Sequence, residues 1–139
     1  MASRNEYDLS PDMVDLWAKF DTGMHQAGID YILTCTYRSE DEQAVLFAQG
    51  RTTPGKIVTN APPGQSAHNC VDKDGHPAAR AFDIVPLVNG KPDWDGSHPV
   101  WEQAGEIGER AGLEWAGRWK SFREKPHFQL PNWKDHNGT

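Results

Sequence analysis

Ala81-Phe82-Asp83-Ile84-Val85 is an apolar run, with aromatic and β-branched residues, that carries a carboxylate at its centre. The run reads as a strand over 80–88, ending at a tight turn at Asn89-Gly90. An aspartate buried in such a strand is costly unless a partner or a metal compensates its charge. Any fold open to this chain must therefore bring something to Asp83.

The rest of the chain divides readily. Ser10 and Pro11 open a helix as N-cap and first helical residue, and Met13, Leu16, Trp17, Phe20, Met24 and Ala27 recur at helical spacing. Gly28 closes it. A strand is expected over 29–36. Ser39 and Glu42 form a capping box for a second helix through Ala44, Val45 and Ala48, closed by Gly50. Residues 51–65 are a Pro/Gly loop long enough to suggest a functional role. His98-Pro99 begins a third helix through Trp101, Ala104, Ile107 and Ala111, stopped by Gly112. Residues 125–130 read as a last short strand. Helices thus flank a few strands not all joined by βαβ crossovers, which makes the class α+β, with a small antiparallel sheet. A length of 139 residues suits one domain, read as 1–139, with no room for a separate binding domain.

Composition narrows the partners. A net charge of −6 argues against nucleic acid and leaves no polybasic anchor for a membrane surface. No run approaches the length of a membrane span, and the polar N-terminus has no apolar signal region. Synthesis in the cytoplasm is expected, with another route out for action elsewhere. Cys35 and Cys70 are expected as reduced thiols. The chain is read as a monomer.

Two histidines can join Asp83. His68 lies in Ser66-Ala67-His68, and His127 in Glu124-Lys125-Pro126-His127. His68, Asp83 and His127 would fill three positions around one zinc ion, leaving a fourth open as catalytic zinc requires. Glu124 beside the third ligand would handle the proton of an activated water. It must then lie in the turn before the strand, because residues i and i−3 of a strand point to opposite faces. A histidine in a chain of this size is also commonly a surface or hydrogen-bonded residue, and that reading stays open for His68 and His127. Cys70, two positions after His68, offers a thiolate that zinc also accepts. His25, His76, His98 and His136 read as structural or solvated, although His76 lies between the first two proposed ligands.

These residues resemble the LAS-type zinc peptidases. That superfamily includes D-Ala-D-Ala dipeptidases and carboxypeptidases, phage L-alanyl-D-glutamate endopeptidases and the zinc-binding domain of hedgehog proteins. Its pattern is Ser-x-His-x-x-Gly-x-Ala-x-Asp, then Glu/Asp-x-x-His far downstream. Ser66-Ala67-His68, Ala81-Phe82-Asp83 and Glu124-Lys125-Pro126-His127 match it. Thr36-Tyr37-Arg38-Ser39, Glu42-Gln43, Gln49-Gly50-Arg51-Thr52, the stretch 54–61, Gly112-Leu113-Glu114-Trp115 and Trp119-Lys120-Ser121-Phe122 look like the endopeptidase branch. The chain departs in spacing. The family separates the first His from the Asp by seven positions, whereas His68 and Asp83 stand fifteen apart. The additional residues fall within 69–79, where 71–75 reads as a turn at the tip of a loop or hairpin.

The resemblance implies a LAS/hedgehog-like fold with one zinc per chain in a cleft on the sheet, and a bacterial peptidoglycan stem peptide as substrate. It implies zinc ligation by His68, Asp83 and His127, with Glu124 as general base and then acid. It makes Arg38 a stabiliser of the oxyanion or a binder of substrate carboxylate, as suits a guanidinium; a surface salt bridge is the alternative. Ser66, Tyr37 and Trp115 are the expected substrate-binding residues. Ser66 equally suits a local backbone cap, and Trp115 and Trp119 suit either a cleft wall or the core. The activity implied is cleavage of the L-Ala–D-Glu bond, in a phage or prophage endolysin released by a holin. The alternatives are a D-Ala-D-Ala carboxypeptidase or dipeptidase, and a zinc-stabilised wall-binding module without turnover. A structural assembly protein would leave the ligand set unexplained.

Overall fold

The computed structural model describes residues 2–135, so the expectation for His136 lies outside the described residues. Three α-helices and five β-strands alternate with short 3-10 turns: α1 (Pro11–Gln26), β1 (Tyr31–Cys35), α2 (Glu40–Ala48), β2 (Ala81–Val88), β3 (Lys91–Pro92), α3 (Val100–Ala111), β4 (Glu114–Trp115) and β5 (His127–Gln129). The sheet order is β1-β2-β5-β4, with β3 hairpinned onto β2, and every pairing is antiparallel. The class is α+β, as expected.

Local chemistry explains the boundaries. The Ser10 hydroxyl accepts from the Met13 amide and Pro11 stands at the first helical position. The reciprocal Ser39–Glu42 capping box starts α2. Asn89 and Gly90 both hold positive φ, 54° and 77°, as a two-residue hairpin turn requires. Gly112 ends α3 at φ 104°. β4 was missed from the sequence because two residues carry no readable alternation, and only pairing with β5 makes them a strand.

The sheet has two unlike faces. Phe82 pairs with Phe128, and Trp115 with Phe128, on the core side. There Phe20 of α1 sits 5.3 Å from Phe82 and 5.0 Å from Phe128, ring to ring, and all three phenylalanines are fully buried. Each such burial contributes about 1.5–3 kcal/mol. The helix α3 reaches this layer through two glycines. A methyl group at Gly105 would lie 2.3 Å from Trp115, and one at Gly108 would lie 2.4 Å from Phe128.

The extra residues before Asp83 fold back on themselves. Val71 bridges Pro77, and the amide of Ala78 donates to the Cys70 carbonyl at 2.9 Å. The Arg80 amide then donates to the Ala67 carbonyl at 2.8 Å. This pinched hairpin leaves His68 and β2 adjacent despite the long spacing, because a surface insertion costs little loop entropy.

The close α3–sheet contact generates a signed prediction. Helix propensity alone would have Gly108→Ala stabilise the chain by about 1 kcal/mol. The overlap with the Phe128 ring should win and destabilise by about 1–3 kcal/mol. Thermal unfolding decides: a melting temperature several degrees lower is expected, and an increase would refute the packing account.

Candidate metal centre

The opposite face of the sheet is polar. Strand alternation places Asp83 of β2 and His127 of β5 directly across from each other, with Cys35 of β1 opposite Asp83 on the other side. His68 arrives from a short 3-10 turn, Ala67–Asn69, closed by a capping box in which the Ser66 hydroxyl accepts from the His68 amide and the Asn69 side chain accepts from the Ser66 amide. The three proposed ligands meet. His68 Nε2 lies 3.1 Å from Asp83 Oδ1, His127 Nδ1 lies 3.0 Å from the same oxygen, and the two ring nitrogens are 3.2 Å apart.

The outward nitrogens decide which atoms carry protons. His68 Nδ1 is 2.7 Å from the Thr36 carbonyl, which can only accept, so Nδ1 donates and Nε2 is the nitrogen left to face the centre. His127 Nε2 is 2.8 Å from Gln129 Oε1. The Gln129 amide nitrogen is directed at Glu114 Oε2, 3.4 Å away, which turns its oxygen toward His127. His127 therefore donates through Nε2 and keeps a lone pair on Nδ1. Two inner imidazole nitrogens and one carboxylate oxygen converge on one point.

That donor set fits a zinc ion. Bonds of about 2.05 Å in a tetrahedron place ligand atoms about 3.3 Å apart, close to the observed triangle. Each imidazole is oriented by an outer acceptor, as metal-bound histidines usually are. The electrostatics agree. Burial opposes charge on His68, but the Asp83 carboxylate and Cys35 outweigh it and draw the imidazole up to about 10. Burial would raise Asp83, yet the two imidazoles hold it well below the usual carboxylate range. A proton and a divalent cation thus compete for the same donors.

The centre opens into a cleft of about 760 Å³. Residues 58–62 of the long loop form one wall and 119–122 another, with Glu124 and Arg38 beside the ligands and Trp133 also lining it. Glu124 stands just before the 125–126 turn that leads into β5, its carbonyl accepting from the His127 amide at 3.1 Å. Burial pushes its carboxyl up, against a smaller lowering by His127. Arg38 donates to Gln43 Oε1 at 2.9 Å and to Cys35 Sγ at 3.5 Å, and its Nη2 lies 3.8 Å from Asp83 Oδ2. Gln43 is fully buried and also donates to the Ala61 carbonyl at 2.8 Å. It therefore ties Arg38 to the cleft loop. Ser66 lines the cleft, but its hydroxyl also caps the His68 amide at 3.2 Å.

Two expectations need correction. Trp115 is not a cleft wall: it is 3% exposed, stacks on Phe128 and donates its indole N–H to the Lys125 carbonyl. As the pairing partner of Phe128 it shares that residue's face, away from His127. Trp119 lines the cleft, with its ring 5.6 Å from that of His127. Tyr37 is not among the cleft-lining residues and packs against the core. Cys70 and His76 also stay out of the cleft lining. His76 lies in the exposed hairpin, its amide and that of Asp74 donating to Asp72 Oδ1. The thiol beside the centre is that of Cys35, with Sγ 3.6 Å from His68 Nδ1. Sequence reasoning also missed Gln43 and Gln129. Gln129 could have been found by alternation, since residues 127 and 129 of one strand share a face.

Comparison with known proteins agrees with this arrangement. A sequence profile described as D-alanyl-D-alanine carboxypeptidase matches residues 6–74, and a second of the same description matches residues 74–130. The peptidoglycan L-alanyl-D-glutamate endopeptidase CwlK of Bacillus subtilis (strain 168) is 39% identical over 114 residues. The match covers 76% of this chain but 64% of that protein, less than two thirds of its length. Among solved structures, the L-Ala D-Glu endopeptidase ChiX of Serratia marcescens superposes with a TM-score of 0.65 at 21% identity, covering 94% of this chain and 88% of that one. VanYB in complex with D-alanine-D-alanine superposes with a TM-score of 0.62 at 14% identity, covering 91% and 73%. At such identities the structural likeness shows a common fold. Matched along both halves by profiles of one description, and sharing the fold of these enzymes, the chain belongs to the LAS-type superfamily.

Proposed function

We propose that this protein is a zinc-dependent peptidoglycan peptidase that cleaves the L-Ala–D-Glu bond of cell-wall stem peptides. The observation carrying this reading is the convergence of two imidazole nitrogens and one carboxylate oxygen beside Glu124 and Arg38 in an open cleft. The specific bond is supported by the similarity to CwlK, which bears that activity in its name. The setting of the proposal is a phage or prophage endolysin acting on the wall after holin-type release, and it rests on the resemblance to that branch.

His68, Asp83 and His127 would hold the ion. Zinc in that position supplies a Lewis acid, lowering the pKa of a water from 15.7 toward about 7 and polarising a carbonyl. Glu124 takes a proton from the attacking water and returns it to the departing amine as the C–N bond breaks. Its burial keeps the carboxyl above its ordinary value and nearer the pH at which one group can serve as both base and acid. Arg38, held by Gln43 and Cys35, faces the negative charge that develops on the carbonyl oxygen.

The family description favours a second reading, a D-Ala-D-Ala carboxypeptidase using the same centre. Mass spectrometry of digested muropeptides separates the two. New N-terminal D-Glu supports the endopeptidase, loss of terminal D-Ala supports the rival, and no change with zinc-loaded protein sinks both.

Further outcomes follow for the centre. Glu124→Ala should retain zinc and lose about 10²- to 10⁴-fold in kcat/KM; unchanged turnover would remove Glu124 from the chemistry. Asp83→Ala should lower zinc content, and full occupancy by metal analysis would remove Asp83 from the ligand set. The metal-free protein holds a proton on His68 at neutral pH, since its value is drawn up to about 10. Zinc binding at pH 7 should therefore release about one proton, and zinc affinity should rise with pH by about tenfold per unit. Calorimetry in buffers of differing ionisation enthalpy reads this directly. Zinc binding with no proton release would contradict the account.

A further inference from the structure

Behind the cleft lies a polar chain that the proposed reaction does not use. Glu114 of β4 and Gln129 of β5 are direct cross-strand partners, so their side chains share the face that carries His127. One carboxylate oxygen, Glu114 Oε2, receives two donors. The Gln129 amide donates to it at 3.4 Å and the Trp119 indole N–H at 2.8 Å. Gln129 in turn accepts from His127 Nε2 at 2.8 Å, and the Trp119 ring lies 5.6 Å from the His127 ring. Glu114 is not itself part of the cleft lining, whereas Gln129, Trp119 and His127 are.

We propose that Glu114 is a positioning residue that locks the metal ligand His127, through Gln129, and the cleft wall Trp119 into one unit, coupling metal retention to substrate seating. The inference rests on the reading of His68, Asp83 and His127 as a zinc site. Its physical basis is that a neutral glutamine can present either its oxygen or its nitrogen to His127. A carboxylate accepts only, so it captures the amide nitrogen and directs the oxygen at His127. That selects the tautomer with its lone pair on Nδ1, toward the metal. The same oxygen anchors the side chain of Trp119, whose backbone caps the single 3-10 turn Ala116–Arg118 just ahead of irregular chain (Phe122 holds φ 47°). Removing the carboxylate should release both.

Full-length variants separate the two arms. Zinc dissociation constants are measured by competition with a chelator, and KM and kcat on purified muropeptide with zinc saturating. Outer-shell partners of metal ligands typically change metal affinity by about 10- to 100-fold. Gln129→Leu should weaken zinc by about tenfold or more. Trp119→Phe keeps the ring but loses its N–H; it should raise KM and leave zinc affinity unchanged. Glu114→Ala should do both. The double variant Glu114→Ala/Gln129→Leu should bind zinc no more weakly than the weaker single variant, because both cut the same chain. Glu114→Gln retains an acceptor oxygen and should be intermediate; it carries the test if Glu114→Ala does not fold. A folded Glu114→Ala or Glu114→Gln protein with zinc affinity and KM within twofold of wild type overturns the inference and leaves the zinc site standing. Additive losses in the double variant overturn it as well. A wild-type chain that binds no zinc overturns the inference and the zinc reading together.

Discussion

The antiparallel register of β2 against β5 is the constraint on which everything else depends. It sets Phe82 against Phe128 and Asp83 against His127. Because side chains alternate faces along a strand, one register builds both the aromatic layer and the polar centre. A slip of one residue would turn Asp83 into the core and Phe82 into the cleft. The apolar layer therefore fixes the site: Phe20, Trp115 and the glycine face of α3 clamp the core side and hold the polar side in place. The partly buried carboxylate is tolerable because this register delivers one histidine directly, while the neighbouring 3-10 turn delivers the other.

Around this centre the polar groups are arranged by what each can donate or accept. Thr36 and Gln129 face the outer nitrogens of His68 and His127 with acceptors, which leaves the inner nitrogens to face the centre. The fully buried Gln43 holds Arg38 and also grips the cleft loop at Ala61. Arg51 reinforces that loop by donating to the Phe47 and Thr59 carbonyls. The long Pro/Gly segment is thus pinned at several points, which suits a wall that must present a defined surface to a peptide.

Legibility in the sequence followed the strength of local signals. α1, α2 and α3 were readable from caps and apolar spacing, and β1 and β2 from their β-branched runs. β4 was not, since its two residues become a strand only through Gln129 and Phe128. His68, Asp83, Glu124, His127 and Arg38 were found because their residue types imply charge that needs a partner, and they do gather. Trp115 and Tyr37 were misplaced because an aromatic side chain suits a wall or a core equally, and only strand parity and packing choose. Glutamines carry no such signal; Gln43 and Gln129 gain meaning from the atoms they face.

The sequence by itself determined the elements and the inventory of chemical groups: helix starts, turn residues, an aspartate that needed company and the histidines available to supply it. These follow from interactions within a few residues. Tertiary structure decided which groups meet. The fifteen-residue separation of His68 and Asp83 looked like a threat to the site, yet the hairpin at 70–78 absorbs it through the Cys70–Ala78 and Ala67–Arg80 backbone bonds. Likewise Cys35, thirty-three positions from His68, reaches its ring while Cys70, two positions away, does not join the centre. Proximity across a sheet is set by register, and register is a property of paired strands that neither strand contains alone.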